Sequence, residues 1–340
     1  MWAICKKEWT QYFSSLTGYL IIGFYLVLNG LFLFVLPNYN VLDFGYASLQ
    51  AYFDFAPWFL LLLIPAITMR SFSEEYKQGT YELIRTLPVS PIQLVLAKFL
   101  GSYLIVIIAI IPTMLYAVTL DSLSLVGGLD WGATFGSYFG LLCLAAAYTI
   151  IGVFTSSTTK NGLVALIVSI VISIVLFKGF DWLSMSSFFT NGFGMYLQQL
   201  GLAFHYQNLS KGVIAISDLI YFASLFILFA TGTVEQIKGK VKYIVVIAII
   251  LVLNMFGAIS TFKFDLTKYH RYTLNESSKQ IIKEIAAPIK VHLYLGGDIP
   301  AYYSKIAQSA TAILNELQQL NPNQFQWQLE LPSKMYKDTA

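Results

Sequence analysis

The chain has 340 residues, of which 57% are hydrophobic and 11% charged, with a formal net charge of +3 and two cysteines. This composition excludes a soluble globular protein and implies a polytopic membrane protein without a nucleic-acid partner. Cys5 lies at the edge of the first apolar run and Cys143 inside the fourth, which makes a disulfide between them geometrically implausible.

In chain order, Trp2, Cys5, Trp9, Tyr12 and Phe13 share one face of a helix within residues 1–17. The segment reads either as an interfacial helix or as a juxtamembrane leader with tryptophan at headgroup level. Seven apolar runs are long enough to cross a bilayer: Gly18–Leu36, Phe55–Met69, Leu94–Val118, Thr134–Thr155, Gly162–Phe177, Val213–Gly232 and Tyr243–Phe262. Lys6, Lys7, Arg70, Lys77, Arg85, Lys98, Lys160, Lys238, Lys240 and Lys242 all fall on one side of this arrangement. The excess places the N-terminus in the cytosol, and an odd number of spans puts the tail outside.

Pro57, Pro65 and Pro112 predict kinks or breaks. Gly132, Gly136 and Gly140 form a ladder that permits close approach of another helix, for bundle packing or for a dimer seam. Residues 181–212 mix apolar and polar side chains over a length that predicts one or two re-entrant or interfacial helices, bordering an exit path or merely packing as a lid. After Phe262 the composition is that of a soluble segment. Residues 275–286 and 300–320 have helical spacing, while 289–295 and 325–331 alternate as strands. This α-β-α-β order suggests a parallel strand pair, unfinished unless a partner completes the layer. The turn Gly296–Pro300 is better explained as a strand-to-helix connection than as a binding loop.

The expected fold is therefore an all-α membrane bundle with six spans in 18–237, a linker and seventh span in 238–262, and a small extracytoplasmic α/β segment in 263–340. No phosphate-cradling Gly-x-x-x-x-Gly-Lys-Ser/Thr loop is present. His205, His270 and His292 have neither paired spacing nor nearby cysteines, which argues against a zinc site. No cofactor is expected. The apolar cores of the spans read as free of ionisable residues, which disfavours ion coupling.

The polar insert between the second and third spans stands out. Glu74, Glu75, Lys77, Glu82 and Arg85 recur at spacings of three, four or seven, compatible with one short helix in which Gly79 relaxes the backbone and which Pro88 ends. On spacing alone it is either a docking surface or a solvated connector.

The order Glu-x-x-x-x-Gly-Thr-x-Glu-Leu-Ile-x-Thr-Leu-Pro-Val-Ser, from Glu74 to Ser90, resembles the signature loop of ABC-2 type exporter permeases. The resemblance implies a coupling helix resting on a separate ATPase present in two copies, beside a second permease chain. Glu74, Glu75, Gly79, Thr80, Glu82, Arg85 and Pro88 then form the coupling loop, with Glu82 and Arg85 as contacts and Gly79-Thr80 setting its shape. Residues 1 to about 237 resemble a gliding-motility-associated permease of the GldF type. From Lys242 onward, Phe264-Asp265-Leu266-Thr267-Lys268, Arg271-Tyr272-Thr273-Leu274-Asn275 and Val291 to Pro300 are similar to the start of a GldG-type auxiliary subunit. These resemblances imply a permease subunit of an ATP-driven exporter, associated with gliding or secretion components, and not itself an enzyme. The alternative is an inner-membrane anchor without transport, to be separated by removing everything after Gly232.

Overall fold

The computed structural model describes residues 1–37, 40–44, 47–86, 88–124, 128–184, 197–238, 254, 262–268, 271–273, 276–285, 287–295 and 301–331. Among them, six helices are long and apolar enough to cross a membrane: Leu16–Phe34, Gln50–Gln78, Pro91–Leu123, Trp131–Thr158, Gly162–Ser184 and Ile216–Lys238. The predicted seventh span lies outside the described residues.

Each element begins where local chemistry allows it. α1 (Trp2–Phe13) packs on the helices that follow, and α2 (Leu16–Phe34) is capped by the Ser15 hydroxyl. α3 (Gln50–Thr68) runs unbroken through Pro57 and Pro65, so of the expected kinks or breaks no break occurs there. The carbonyl orphaned by Pro57 is that of Phe53, and the Tyr206 hydroxyl donates to it at 2.8 Å. Two short helices follow, α4 (Ser73–Gln78) and α5 (Tyr81–Arg85). α6 (Pro91–Ile110) starts with Ser90 and Gln93 in a reciprocal capping box and proline in the first turn. At Pro112 the expected break occurs: a 3₁₀ turn, Ile111–Thr113, leads into α7 (Met114–Leu123). The break is stitched to its neighbours, since Tyr52 donates to the Thr113 hydroxyl at 2.9 Å and Tyr138 to the Thr113 carbonyl at 2.8 Å. Asp130 caps α8 (Trp131–Thr158), and Asn161 caps α9 (Gly162–Ile174).

α3, α6 and α8 form the buried middle of this unit, with Tyr52, Leu60, Ile64, Val95, Leu141, Leu144, Tyr148 and Ile150 among its fully enclosed side chains. α2 and α9 instead leave most of their apolar surface exposed, as helices facing hydrocarbon do.

The same unit contains β1 (Val213–Ala215), the last described span Ile216–Lys238, and β2 (Lys263–Asp265). β2 pairs antiparallel with β1, which abuts the beginning of that span, so the chain has returned to this end by residue 262. The glycine ladder of α8 also lies here, and a helix approaches it at Gly140, the end of Leu202–Leu209, while Gly132 and Gly136 meet a strand exit and a turn. Cβ atoms on Gly132, Gly136 and Gly140 would stand 2.0 Å from the Leu266 carbonyl, 2.8 Å from Gly212 Cα and 2.4 Å from Leu209 Cβ, respectively. The ladder therefore receives a helix end, a turn and a strand exit. Gly212, with φ of 81°, must itself be glycine, because a Cβ there would meet Ala133 Cα at 2.6 Å.

A second unit comprises residues 176–204 and 269–340. Its tail has the expected order: a helix Glu276–Glu284, β3 (Ile289–Leu293), a helix Ala301–Leu320 and β4 (Phe325–Leu329), with β3 and β4 parallel. Phe325 and Ala307 are buried in it, and Asn321 donates to the Ile282 carbonyl at 3.0 Å. The Gly296–Pro300 turn lies outside the described residues.

Candidate functional site

The polar insert is two helices, not one. Gly79 adopts φ 72°, a left-handed conformation that ends α4 and redirects the chain into α5. On a continuous helix Glu75 and Glu82, seven apart, would share a face. With the turn at Gly79 they do not: Glu75 is 6% exposed and faces the bundle, whereas Glu82 is exposed.

Glu75 belongs to a buried ionic cluster. Lys98, on the second turn of α6 and fully enclosed, lies 2.7 Å from Glu8 of α1 and 3.0 Å from Glu75 of α4. Its ammonium also donates to the Ser71 carbonyl and sits 4.8 Å above the Phe72 ring. Lys7 reaches Glu75 at 2.8 Å, so two ammonium groups meet two carboxylates and the cluster closes neutral. Burial drives the Glu8 pKa upward, only partly offset by Lys98. Outside it, Gln11 donates to Glu74 at 3.3 Å, a second tie between α1 and α4.

The loop is also held from α8. The Ser156 hydroxyl accepts from Phe72 N at 2.8 Å and Ser73 N at 3.2 Å, and it donates to the Met69 carbonyl at 3.2 Å. Gly152 faces Thr68 so closely that a Cβ would stand 2.0 Å from its hydroxyl oxygen. Beneath the loop, Phe72 and Tyr81 enter an apolar cluster with Leu94, Val95, Ile150 and Val234.

What remains outward is a rim: Lys77, Gln78, Gly79, Glu82, Leu83, Thr86 and Pro88 are exposed, and Thr80 is half-buried between them. Leu83, 69% exposed, is the apolar member of this polar rim. The predicted loop residues thus divide. Glu75 is internal, Glu74 is half-buried against Gln11, and Gly79, Glu82 and Pro88 are on the rim. Arg85 closes α5, but its side chain lies outside the described residues. Gly132, Gly136 and Gly140 stand at the opposite end of α8 from Ser156 and take no part.

Sequence reasoning missed Lys98, Lys7, Glu8, Ser156 and Leu83. A signal existed for Lys98: with Ser90 and Pro91 opening the helix, a lysine at the eighth position is already inside an apolar span. The expectation of ion-free spans needs a second correction. Asp218, in the first turn of the last described span, is buried and bonded to His205 at 2.7 Å and Asn208 at 3.0 Å, so His205 is not isolated. Both exceptions sit near helix ends, where partners from outside the span can reach them. Among the described residues, no group of three or more His, Cys, Asp or Glu is placed to hold a metal ion.

Residues 35–234 match the family model described as ABC-2 family transporter protein. Residues 268–340 match a second model, a domain of unknown function (DUF7088). Comparison with curated proteins gives no match.

Proposed function

Because the chain belongs to the ABC-2 family of transporter proteins and is a permease component of an ABC exporter, we propose that a separate ATPase docks on the rim formed by Lys77–Pro88. The observation that carries this is the division of the loop into an exposed rim and an anchored root. The rim offers Glu82 and Leu83 to a partner. The root, through Glu75, Lys98, Glu8 and Ser156, joins α1, α4, α6 and α8. A push on α5 then reaches three spans at once, because close-packed interiors transmit strain rather than absorb it.

The working assembly pairs this chain with a second permease chain and two ATPase copies, in a bacterial inner membrane with the loop and N-terminus cytosolic. Placement of the lysines and arginines supports that orientation. Residues 263–268 are then periplasmic, since β2 returns to the end of the last described span opposite Val234 and the loop, and an odd number of spans puts the segment after them on the same side of the membrane. An association with gliding or secretion components rests on the tail.

Purification of the tagged chain in detergent, scored by mass spectrometry for a co-purifying ATPase, tests the proposal. The wild type should recover an ATPase, and Glu82→Lys with Leu83→Asp should lose it while remaining folded. Equal recovery by both proteins removes the rim from the interface, and recovery by neither removes the transport mechanism.

A further inference from the structure

The glycine ladder of α8 plays no part in the coupling rim, yet three observations converge on it. β2 lies in register with β1, Val213 opposite Asp265 and Ala215 opposite Lys263. Directly after β2, three consecutive amides are fixed: Leu266 N donates to the Gly212 carbonyl at 3.1 Å, Thr267 N to Asp265 Oδ1 at 2.9 Å and Lys268 N to Asp130 Oδ2 at 3.0 Å. Asp130 at the same time caps α8, its Oδ1 accepting from Ala133 N at 3.0 Å. Finally, the Leu266 carbonyl occupies the space where Gly132 lacks a side chain, and Leu266 Cδ1 would stand 3.1 Å from a Cβ on Gly136.

Leu266 meets Gly212 and Gly132 backbone against backbone, and Lys268 is held through its amide by the carboxylate that caps α8. A side chain can change rotamer when its neighbour shifts, but a carbonyl seated on a glycine and an amide held by a helix-capping carboxylate move with the helix. The transporter match ends at residue 234 and the second match begins at 268, so the strap runs up to the first residue of the second match and is fastened to the region of the first match.

We propose that residues 263–268 are a working part of the permease: a strap through which displacement of the first turns of α8 passes into the C-terminal segment. The inference rests on the permease reading, which supplies the displacement. It also changes what a truncation means. Cutting after Gly232 removes the strap and unseats the outer turns of α8, whereas cutting after Lys268 leaves the permease complete.

Hydrogen exchange on the full chain in lipid nanodiscs tests this in two arms. In the first, the amides of Leu266, Thr267 and Lys268 should be protected in the wild type, and Gly132→Ala should accelerate their exchange at least about tenfold. Alanine is the better helix former, so α8 itself should stay protected. Leu266→Ala, which leaves α8 untouched, should accelerate the same amides and guards against misfolding of the first variant. In the second arm, with the co-purified ATPase, a change of nucleotide should alter exchange at residues 276–329 in the wild type and not in Gly132→Ala. Unprotected strap amides in the wild type, or an identical nucleotide response in the variant, overturns the proposal. If no ATPase co-purifies, the permease reading fails, and the first arm still decides whether the strap exists.

Discussion

At the end of the bundle that carries α4 and α5, neighbouring elements are joined by charge: Lys98 draws Glu8 and Glu75 inward and Lys7 completes the set. At the far end of α8, neighbours meet through backbone, with Gly132, Gly136 and Gly140 admitting a carbonyl, a turn and a helix end. The contrast teaches where each kind of contact is useful. A buried ionic cluster specifies one arrangement of several helices and is lost abruptly when one member goes. A glycine ladder contributes no charge and confers close approach.

The largest break in this comparison is Lys98→Met. Removing the shared cation leaves Glu8 without its partner in a closed site and Glu75 with Lys7 alone, and the expected loss is about 3–5 kcal/mol in thermal unfolding of the nanodisc-held protein. Adding Glu8→Gln and Glu75→Gln to the same chain should restore most of that loss, since the one charge then left without its partner, Lys7, is half exposed to solvent. A deficit unchanged in the triple variant would mean that Lys98 acts through packing alone.

At the glycine end, Gly140→Val should cost about 1–3 kcal/mol by overpacking, because its Cβ meets Leu209 Cβ at 2.4 Å whatever rotamer the side chain takes. This loss should be independent of pH, unlike that of the ionic end. Glu8 sharpens the distinction. Its pKa is raised by burial, so the folded protein holds the proton to higher pH than the unfolded chain does. Its contribution is therefore fully present below the ordinary carboxylate value, about 4.3, and is lost as pH rises through the raised one. Unfolding temperatures of wild type and Glu8→Gln, followed upward from about pH 4, should diverge, the wild type falling relative to the variant. Parallel curves would contradict the assignment.

The smallest stability effect belongs to the rim. Glu82→Lys should change stability by no more than about 0.5 kcal/mol, because an exposed loop charge has no desolvated partner to lose. Its effect should appear in ATPase recovery instead.

Much of this layout was legible in the sequence, and the exceptions have physical causes. Apolar runs set the six described spans, and alternation in Ile289–Leu293 and Phe325–Leu329 announced the parallel pair. The loop charges stood out as a group. Their division did not, because spacing assumes one helix axis and the left-handed Gly79 supplies two. Lys98 read as a loop charge because its carboxylates come from 90 and 23 positions earlier in the chain. The Gly132 ladder was visible as a small-residue face, but a strand exit at Leu266 leaves no periodic trace that would name it as the partner.

The central claim, that the rim and not the opposite end receives the ATPase, is tested most directly by site-specific photocrosslinking. A photoreactive side chain is placed at Leu83 in one variant and at Leu266 in another, each in native membranes. An ATPase adduct should form at position 83 and not at 266. An adduct at neither position, or equal adducts at both, would contradict the account.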